Sequence, residues 1–254
     1  MIKAERQSFI KEMVEREGTL SVHEIAAHLE VSEMTVRRDL EELSMRGDLV
    51  RVHGGARSAE AYQPSMLRRE YSHAEKRNRN VDEKAAAAAR AVQLIEPNTT
   101  IFLGTGTTVE QMIPLLPSYH LRIVVNSLAI FNMLEARNGY ELCLIGGIFR
   151  PRTGAFVGPL AEDAISKLGL DAAFVGANGI SDGGVFTSNA DEGRFQQIAF
   201  DRADARYLVA DASKIGKRDF FEFYQLMNLD ALVCDSAISE RARKMVDEFT
   251  EVLV

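Results

Sequence analysis

The chain has 254 residues, a hydrophobic share of 46% and a net charge of −7, values typical of a globular protein with more than one domain. Its first 57 residues hold nine Lys/Arg and eleven Asp/Glu, so this part is acidic as well. Because acidic residues outnumber basic ones, binding to nucleic acid through a diffuse positive charge is excluded. Any contact with nucleic acid has to come from a few well-placed cations.

The sequence has no apolar run of membrane-spanning length and no signal-peptide-like stretch near its start, so a cytoplasmic protein is expected. Its two cysteines, Cys143 and Cys234, lie in apolar, strand-like runs. Buried reduced thiols are therefore predicted, with no metal site and no cofactor.

The N-terminal part predicts three helices. The first spans residues 4–17, and the pair Ser21 and Glu24 has the spacing of a capping box that opens a second helix. Ser32 is a suitable N-cap for a third helix that begins at Glu33. In this third helix apolar residues repeat at helical spacing and leave the opposite face free for contacts.

Two adjacent arginines, Arg37 and Arg38, lie on that free face. Arginine can read guanine edges in the major groove, while hydroxyls and a helix N-terminus meet phosphates; arginines that are merely solvated are the alternative. Gly47 is expected to end the helix, and residues 48–57 predict a strand, a Gly-Gly turn and a basic return strand, as in a winged helix. The predicted DNA contacts are Ser32, Thr35, Arg37, Arg38, Arg51, His53 and Arg57.

Residues 58–80 lose this periodicity, contain Pro64 and accumulate charges of both signs, which predicts a solvated linker, with a DNA contact as the alternative. From residue 81 onward helices alternate with short apolar strands, the pattern of a mostly parallel sheet covered on both faces. Strands are expected at residues 100–103, 122–125, 141–145, 172–175, 207–210, 231–234 and 251–254, and helices at residues 81–95, 109–116, 129–136, 161–168, 192–201 and 239–249.

Ligands of open α/β sheets bind outside the carboxyl ends of the strands. The segment Gly104-Thr105-Gly106-Thr107-Thr108 follows a predicted strand and offers amides, hydroxyls and a helix N-terminus to a phosphate or carboxylate; a tight turn that only needs glycine is the alternative. It is neither a Walker loop nor a complete dinucleotide fingerprint. Small or polar residues after other strands complete a predicted pocket for a polar anion: Asn126, Gly147, Asn178, Asp211 and Lys214. For Lys214 the alternative is simple exposure to solvent.

These motifs resemble those of the DeoR family of bacterial transcriptional regulators. Residues 6–56 are similar to the family's DNA-binding domain, with the motifs Val31-Ser32-x-x-Thr35-Val36-Arg37-Arg38-Asp39-Leu40 and Arg51-Val52-His53-Gly54-Gly55-Ala56. Residues 81–236 are similar to its sensor domain. The matching sensor motifs are Gly104-x-Gly106-Thr107-Thr108, Asn126-Ser127, Gly146-Gly147, Gly176-x-Asn178-Gly179 and Asp211-x-Ser213-Lys214.

The resemblance implies a fold like that of ribose-5-phosphate isomerase and a phosphorylated sugar as effector. The family places a basic residue a few positions past an acidic one, in the helix after Phe186-Thr187, whereas here Glu192 is followed by Gly193-Arg194-Phe195-Gln196. Arg194 is the candidate substitute. Carried over residue by residue, the resemblance assigns the phosphate to Thr105, Gly106, Thr107 and Thr108, hydroxyls to Asn126 and Asp211, and the anion also to Lys214.

The sequence therefore predicts an α+β winged-helix domain at residues 1–57, a linker at 58–80 and an α/β Rossmann-like domain at 81–254. The functional hypothesis is a sequence-specific DNA-binding regulator, a repressor of a sugar-catabolism operon controlled by a phosphorylated sugar, which acts as a homodimer or homotetramer.

Two alternatives remain at this point. One is a sugar-phosphate isomerase or deaminase with an accessory DNA-binding module, for which Asp191, Glu192 and Asp211 are the only plausible bases. No arrangement of these carboxylates specifies catalysis, so no enzyme is predicted. The other is a constitutive DNA-binding protein whose second domain only oligomerises.

Overall fold

A computed structural model describes residues 3–46, 48–52, 54–58, 70–137 and 139–254. The chain divides into two compact units, residues 1–68 and residues 69–254, and each unit is described by itself. The predictions made for Gly47 and His53 fall outside the described residues.

The described residues of the first unit form three helices and three short strands. In chain order they are α1 (Lys3–Glu17), β1 (Thr19–Ser21), α2 (Val22–Leu29), α3 (Glu33–Met45), β2 (Leu49–Val52) and β3 (Gly55–Ser58). The strands form an antiparallel sheet in the order β1-β3-β2. A helix-turn-helix followed by this sheet confirms the predicted winged helix.

The helices of the first unit begin at the predicted caps. Ser21 Oγ accepts a hydrogen bond from the Glu24 amide at 3.1 Å, and Glu24 Oε2 accepts one from the Ser21 amide at 2.8 Å, which completes a capping box. Ser32 Oγ accepts a hydrogen bond from the Thr35 amide at 3.3 Å at the start of α3. Apolar residues from the helices and the sheet share one core: Ile10, Val14, Ile25, Val36, Leu40, Leu49 and Ala56.

A buried ion pair joins α1 to α3. Asp39 is only 1% exposed. Its carboxylate accepts hydrogen bonds from Arg6 Nε at 2.5 Å and from Gln7 Nε2 at 3.3 Å. The hydrogen bond to Asp39 raises the pKa of Arg6. Because loss of either partner would leave a charge without compensation, the pair fixes how α3 packs on α1.

The second unit is organised around a seven-stranded sheet. Its helices are α4 (His73–Arg77), α5 (Val81–Ala91), α6 (Thr107–Glu110), α7 (Leu128–Glu135), α8 (Pro159–Ser166), α9 (Ala190–Asp201) and α10 (Glu240–Asp247). Its strands are β4 (Thr100–Leu103), β5 (Leu121–Val125), β6 (Tyr140–Leu144), β7 (Ile148–Arg150), β8 (Ala155–Val157), β9 (Leu170–Val175), β10 (Gly179–Ser181), β11 (Gly184–Thr187), β12 (Ala203–Val209), β13 (Phe221–Gln225), β14 (Ala231–Val233) and β15 (Glu251–Leu253).

The large sheet has the strand order β15-β14-β12-β9-β4-β5-β6, and every neighbouring pair is parallel. This confirms the predicted Rossmann-like, mostly parallel sheet. The sequence did not predict two antiparallel additions, the hairpin β7-β8 and the small sheet β10-β11-β13. Their strands have three to five residues, which is too short for a readable hydrophobic period.

Helices cover both faces of the parallel sheet. On one face Ala87 of α5 and Ile130 of α7 share a buried cluster with Ile101 of β4. On the other face Phe195 of α9 lies against Phe102 of β4, with ring centroids 5.8 Å apart. Because successive residues of a strand point to opposite faces, a strand buried on both sides has to be apolar throughout.

Residues 70–80 differ from the prediction of a linker over residues 58–80. They contain α4, whose N-cap Ser72 forms a capping box, and they belong to the second unit. Arg150 Nη2 lies 2.7 Å from Glu70 Oε1. Charged residues of this segment thus form ion pairs within the second unit. That unit begins before residue 81, the predicted start of the α/β domain.

Several helices are shorter than predicted. The helix expected at residues 109–116 is a single α-helical turn, α6, followed by a 3₁₀ turn at Ile113–Leu115. The helix expected at residues 81–95 ends at Ala91 and continues as a 3₁₀ turn. Within the described ranges, none of the helices is long and apolar enough to cross a membrane.

Both cysteines are free, as predicted. Cys234 is buried and Cys143 is half-buried. Burial raises the pKa of the Cys234 thiol well above its usual range, so this thiol stays protonated and packs as a small apolar residue.

Candidate functional site

The exposed face of α3 carries two adjacent arginines. Arg37 and Arg38 are both exposed, but Arg37 Nη2 lies 3.4 Å from Glu33 Oε2. Arg38 forms no ion pair with any carboxylate in the described part of the chain. At the start of the helix Ser32 Oγ and Thr35 Oγ1 are 2.9 Å apart, so two hydroxyls lie beside the helix N-terminus.

The wing contributes two more of the predicted DNA contacts. Arg51 is exposed on β2. Arg57 is half-buried on β3, and its Nε donates a hydrogen bond to Thr19 Oγ1 at 3.1 Å. Arg57 is therefore partly engaged with the wing sheet, whereas Arg51 can reach a ligand without breaking a contact. His53 lies outside the described residues.

In the second unit a pocket lies at the carboxyl ends of β4, β9 and β12, where parallel sheets hold their ligands. Helices α4, α5 and α9 and the turn of the β7-β8 hairpin complete its wall. Six of the predicted effector contacts line it: Thr105, Gly106, Thr107, Thr108, Asn178 and Lys214.

The loop after β4 presents hydroxyls and amides to this pocket. Thr107 and Thr108 are buried but line the pocket. The amides of Thr105, Gly106 and Thr107 find no hydrogen-bond acceptor among the described residues. Gly104 sits just behind the loop, where an added Cβ would lie 3.3 Å from the Phe174 carbonyl oxygen. Its missing side chain therefore serves close packing and does not contact a ligand.

Three further predicted contacts lie behind the pocket wall. Asn126 Oδ1 accepts a hydrogen bond from Thr105 Oγ1 at 3.1 Å, so Asn126 holds the loop in place. Gly147 packs so closely that an added Cβ would lie 2.7 Å from the Val157 carbonyl oxygen. Asp211 Oδ1 accepts a hydrogen bond from Asn80 Nδ2 at 3.0 Å. The strand ends do converge, but the side chains of Asn126 and Asp211 point into the supporting structure.

Three lysines surround the pocket: Lys76 of α4, Lys84 of α5 and Lys214 after β12. None of them forms an ion pair with a carboxylate of the described residues. Burial lowers the pKa of Lys76, and the negative charge of Glu192 opposes this shift. Burial, together with the charge of Lys214, lowers the pKa of Lys84 to about 8. The pocket thus holds positive charge that an anionic ligand would stabilise.

Helix α9 supplies hydrogen-bond acceptors to the pocket, in contrast to the lysines. Glu192 Oε1 accepts a hydrogen bond from Arg150 Nε at 2.8 Å and another from Thr153 Oγ1. Gln196 lines the pocket one helical turn further along α9. Arg194, the expected substitute for the family's basic residue, is exposed and does not line the pocket. The cations come from α4, α5 and the β12 loop instead.

Sequence reasoning missed about half of the pocket. His73 and Lys76 fall in the segment that was predicted to be a linker, and Lys84 falls in an alanine-rich helix that shows no ligand motif. The paired spacing of Glu192 and Gln196, four residues apart in a helix, was the available signal. The residues that line the pocket but were not predicted as effector contacts are His73, Lys76, Lys84, Thr153, Gly176, Ala177, Thr187, Glu192 and Gln196.

The first unit is a winged helix whose third helix carries an arginine, Arg38, with no acidic partner among the described residues. Together with the cation-rich pocket of the parallel-sheet unit, these features define a class of protein. The class is a DNA-binding transcriptional regulator with a ligand-sensing domain. The model of the DeoR-like helix-turn-helix domain matches residues 6–61, and that of the DeoR C terminal sensor domain matches residues 79–236. The chain therefore belongs to the DeoR family, which confirms the resemblance found in the sequence.

Curated relatives match over their full length. The lactose phosphotransferase system repressor of Staphylococcus epidermidis (strain ATCC 12228 / FDA PCI 1200) is 40% identical over 255 residues, covering 100% of both chains. The protein of the same name from Streptococcus mutans serotype c is 38% identical, with the same coverage. These relatives confirm the predicted regulator.

Solved structures match part of the chain. Ribose 5-phosphate isomerase A from Methanocaldococcus jannaschii is 19% identical and has a TM-score of 0.40, covering 53% of this chain and 54% of that chain. The translation initiation factor eIF-2B from Pyrococcus horikoshii OT3 is 16% identical and has a TM-score of 0.44, covering 64% and 66%.

Proposed function

We propose that the protein represses a sugar-catabolism operon, binds operator DNA through its first unit and is controlled by a phosphorylated sugar held in its second unit. The observation that carries the effector half is the pocket, which is lined by three lysines and by the hydroxyls and amides of the loop after β4. Among the described residues, these lysines have no carboxylate partner and the amides of Thr105, Gly106 and Thr107 have no acceptor. A phosphate needs both positive charge and hydrogen-bond donors. The relatives' names, which refer to a sugar phosphotransferase system, support a sugar as the effector.

The DNA contacts of this proposal lie on α3 and the wing. Arg38 reads base edges from the helix, because it is exposed and has no acidic partner among the described residues. The remaining contacts position the helix on phosphates. They are Ser32, Thr35, Arg37, Arg51, His53 and Arg57.

The residues proposed for the effector site either bind the phosphate directly or hold another residue in position. Lys84, Lys214 and the residues Thr105, Gly106, Thr107 and Thr108 bind the phosphate. Asn178 Oδ1 already accepts a hydrogen bond from Lys76 Nζ at 2.9 Å, so Asn178 holds Lys76 at the pocket. Asn126 and Asp211, which the sequence predicted as direct contacts, contribute to the site by positioning Thr105 and Asn80.

Control of DNA binding follows from linkage. An effector that binds the DNA-competent and the DNA-incompetent arrangements with different affinities shifts their populations by that difference alone. Two operator half-sites require at least two copies of α3, so a homodimer or homotetramer is part of the proposal. A protein that works on operator DNA acts in the cytoplasm.

The experiment is a mobility-shift assay with the protein's own promoter region at low salt, repeated with a panel of phosphorylated pentoses, hexoses and disaccharides. We expect a specific shift that one or a few of these sugar phosphates weaken, and a raised melting temperature with the same compounds. Absence of a shift would refute the DNA half, and a shift that no sugar phosphate alters would refute the effector half. Isomerisation of a sugar phosphate by the purified protein would favour the enzyme alternative.

A further inference from the structure

Within the described part of the chain, a buried acceptor atom of a pocket-lining residue has no hydrogen-bond partner. Gln196 is 5% exposed and lines the pocket from α9. Its Oε1 atom is buried and receives no hydrogen bond from any of the described residues. A buried carbonyl oxygen without a donor has lost its hydrogen bonds to water without compensation, which is unfavourable. None of the described residues supplies a donor to this atom, so it is available to accept a hydrogen bond from a bound molecule.

A second acceptor lies one helical turn away. Glu192 and Gln196 are four residues apart in α9, so their side chains share one face of the helix. Arg150 and Thr153 both donate to Glu192 Oε1. The other carboxylate oxygen, Glu192 Oε2, takes no donor from the described residues.

The charges in the pocket are unevenly distributed. The charges of Glu192 and Lys214 both act on Lys76, whereas Lys84 is affected chiefly by the charges of Lys214 and Asp211. An anion is repelled by a carboxylate and attracted by lysines, so it binds on the Lys84 and Lys214 side. The α9 side carries the two acceptor atoms Gln196 Oε1 and Glu192 Oε2, which suit uncharged donors such as hydroxyls.

We propose that Gln196 Oε1 and Glu192 Oε2 form an acceptor pair that binds hydroxyl groups of the effector and selects the sugar. The inference rests on the proposed function, because it assigns the sugar hydroxyls of the proposed phosphorylated effector to this acceptor pair. A site built to pair with a hydroxyl discriminates strongly against an analogue without it, since the buried acceptor then stays unpaired. The pair selects a polyhydroxylated phosphate over inorganic phosphate and over deoxy sugar phosphates.

Isothermal titration calorimetry with Gln196→Met tests this assignment. Methionine has a similar length but no acceptor oxygen, so the Kd for the sugar phosphate that responds in the panel should rise at least tenfold. The Kd for inorganic phosphate should stay within about twofold of that of the unchanged protein. Gln197→Met is the matched control, because Gln197 is the exposed neighbour on the same helix and its loss should change neither value.

A second measurement separates recognition from a folding defect. Monodeoxy analogues of the responding sugar phosphate are titrated into the unchanged protein and into Gln196→Met. One analogue should lose at least tenfold in affinity for the unchanged protein, while the variant should bind that analogue and the parent sugar equally.

Equal weakening of sugar phosphate and inorganic phosphate in Gln196→Met, or no effect on either, would overturn the acceptor pair. It would also be overturned if every deoxy analogue bound the unchanged protein like the parent. If no sugar phosphate bound the unchanged protein, the proposed function itself would fail and the acceptor pair would fall with it.

Discussion

Lys84 lies almost wholly inside the second unit, at 3% exposure, and its Nζ donates a hydrogen bond to the Lys76 carbonyl oxygen. Burial makes the charged ammonium costly, which brings its pKa to about 8. A bound phosphate would favour the charged form and raise this pKa. Binding and protonation at Lys84 are therefore linked.

The pH dependence of effector binding follows with a definite sign. Lys84 is mostly charged below pH 8 and mostly neutral above it, so affinity for a sugar phosphate should fall by about tenfold between pH 7 and pH 9. In Lys84→Met the affinity should already be low at pH 7 and should lose most of this slope. Titration calorimetry at the two pH values measures both, and a flat profile for the unchanged protein would contradict the role of Lys84.

Arg38 carries the corresponding prediction for the first unit. Loss of a bidentate base contact costs about 1–3 kcal/mol per half-site, so Arg38→Ala should weaken operator binding at least tenfold while leaving effector affinity unchanged. Arg16→Ala, which removes an exposed arginine of α1, is the control for charge alone. Fluorescence anisotropy with labelled operator measures both, and normal binding by Arg38→Ala would show that α3 does not read the DNA.

At the scale of an element, α9 shows how packing overrides helix propensity. Gly193 lies inside this helix next to the acceptor Glu192. An added Cβ at Gly193 would lie 2.5 Å from Phe221 Cδ1 and 3.0 Å from Phe223 Cβ. The glycine therefore allows α9 to pack closely on β13, which fixes where Glu192 and Gln196 enter the pocket.

Gly193→Ala should lower the free energy of unfolding by about 1–3 kcal/mol, because overpacking forces the aromatic residues to move. Helix propensity alone predicts the opposite sign, a gain of about 1 kcal/mol. Gly169→Ala is the control, since an added Cβ there meets no atom within 4 Å. Urea denaturation followed by circular dichroism decides between the two, and a stabilised Gly193→Ala would refute the close packing.

For the whole molecule, the two proposed binding activities have to obey reciprocity. If a saturating sugar phosphate raises the operator Kd by some factor, saturating operator must raise the sugar phosphate Kd by the same factor, typically about 5–150-fold. Anisotropy gives the first factor and calorimetry the second. A factor of one in both directions would mean that the second unit does not control the first.

Local pattern was enough to predict much of the fold. The caps at Ser21 and Ser32 depend on contacts three residues apart, and the strand at Thr100–Leu103 is visible as a short apolar run. The short strands of the β7-β8 hairpin and of the sheet β10-β11-β13 have no such signature. The α4 segment also looked like a linker, because its charges find partners such as Arg150 only in the folded unit.

The sequence by itself determined the winged helix, the parallel sheet, the family and the loop after β4, because caps, periodicity and motifs are properties of neighbouring residues. Only the tertiary structure decided which residues form the pocket. Lys76, Lys84 and Lys214 come from three separate segments, and Gln196 meets them through the packing of α9. Burial and electrostatic potential depend on groups far apart in the chain, so no local pattern could reveal the lowered pKa of Lys84 or the unpartnered oxygen of Gln196.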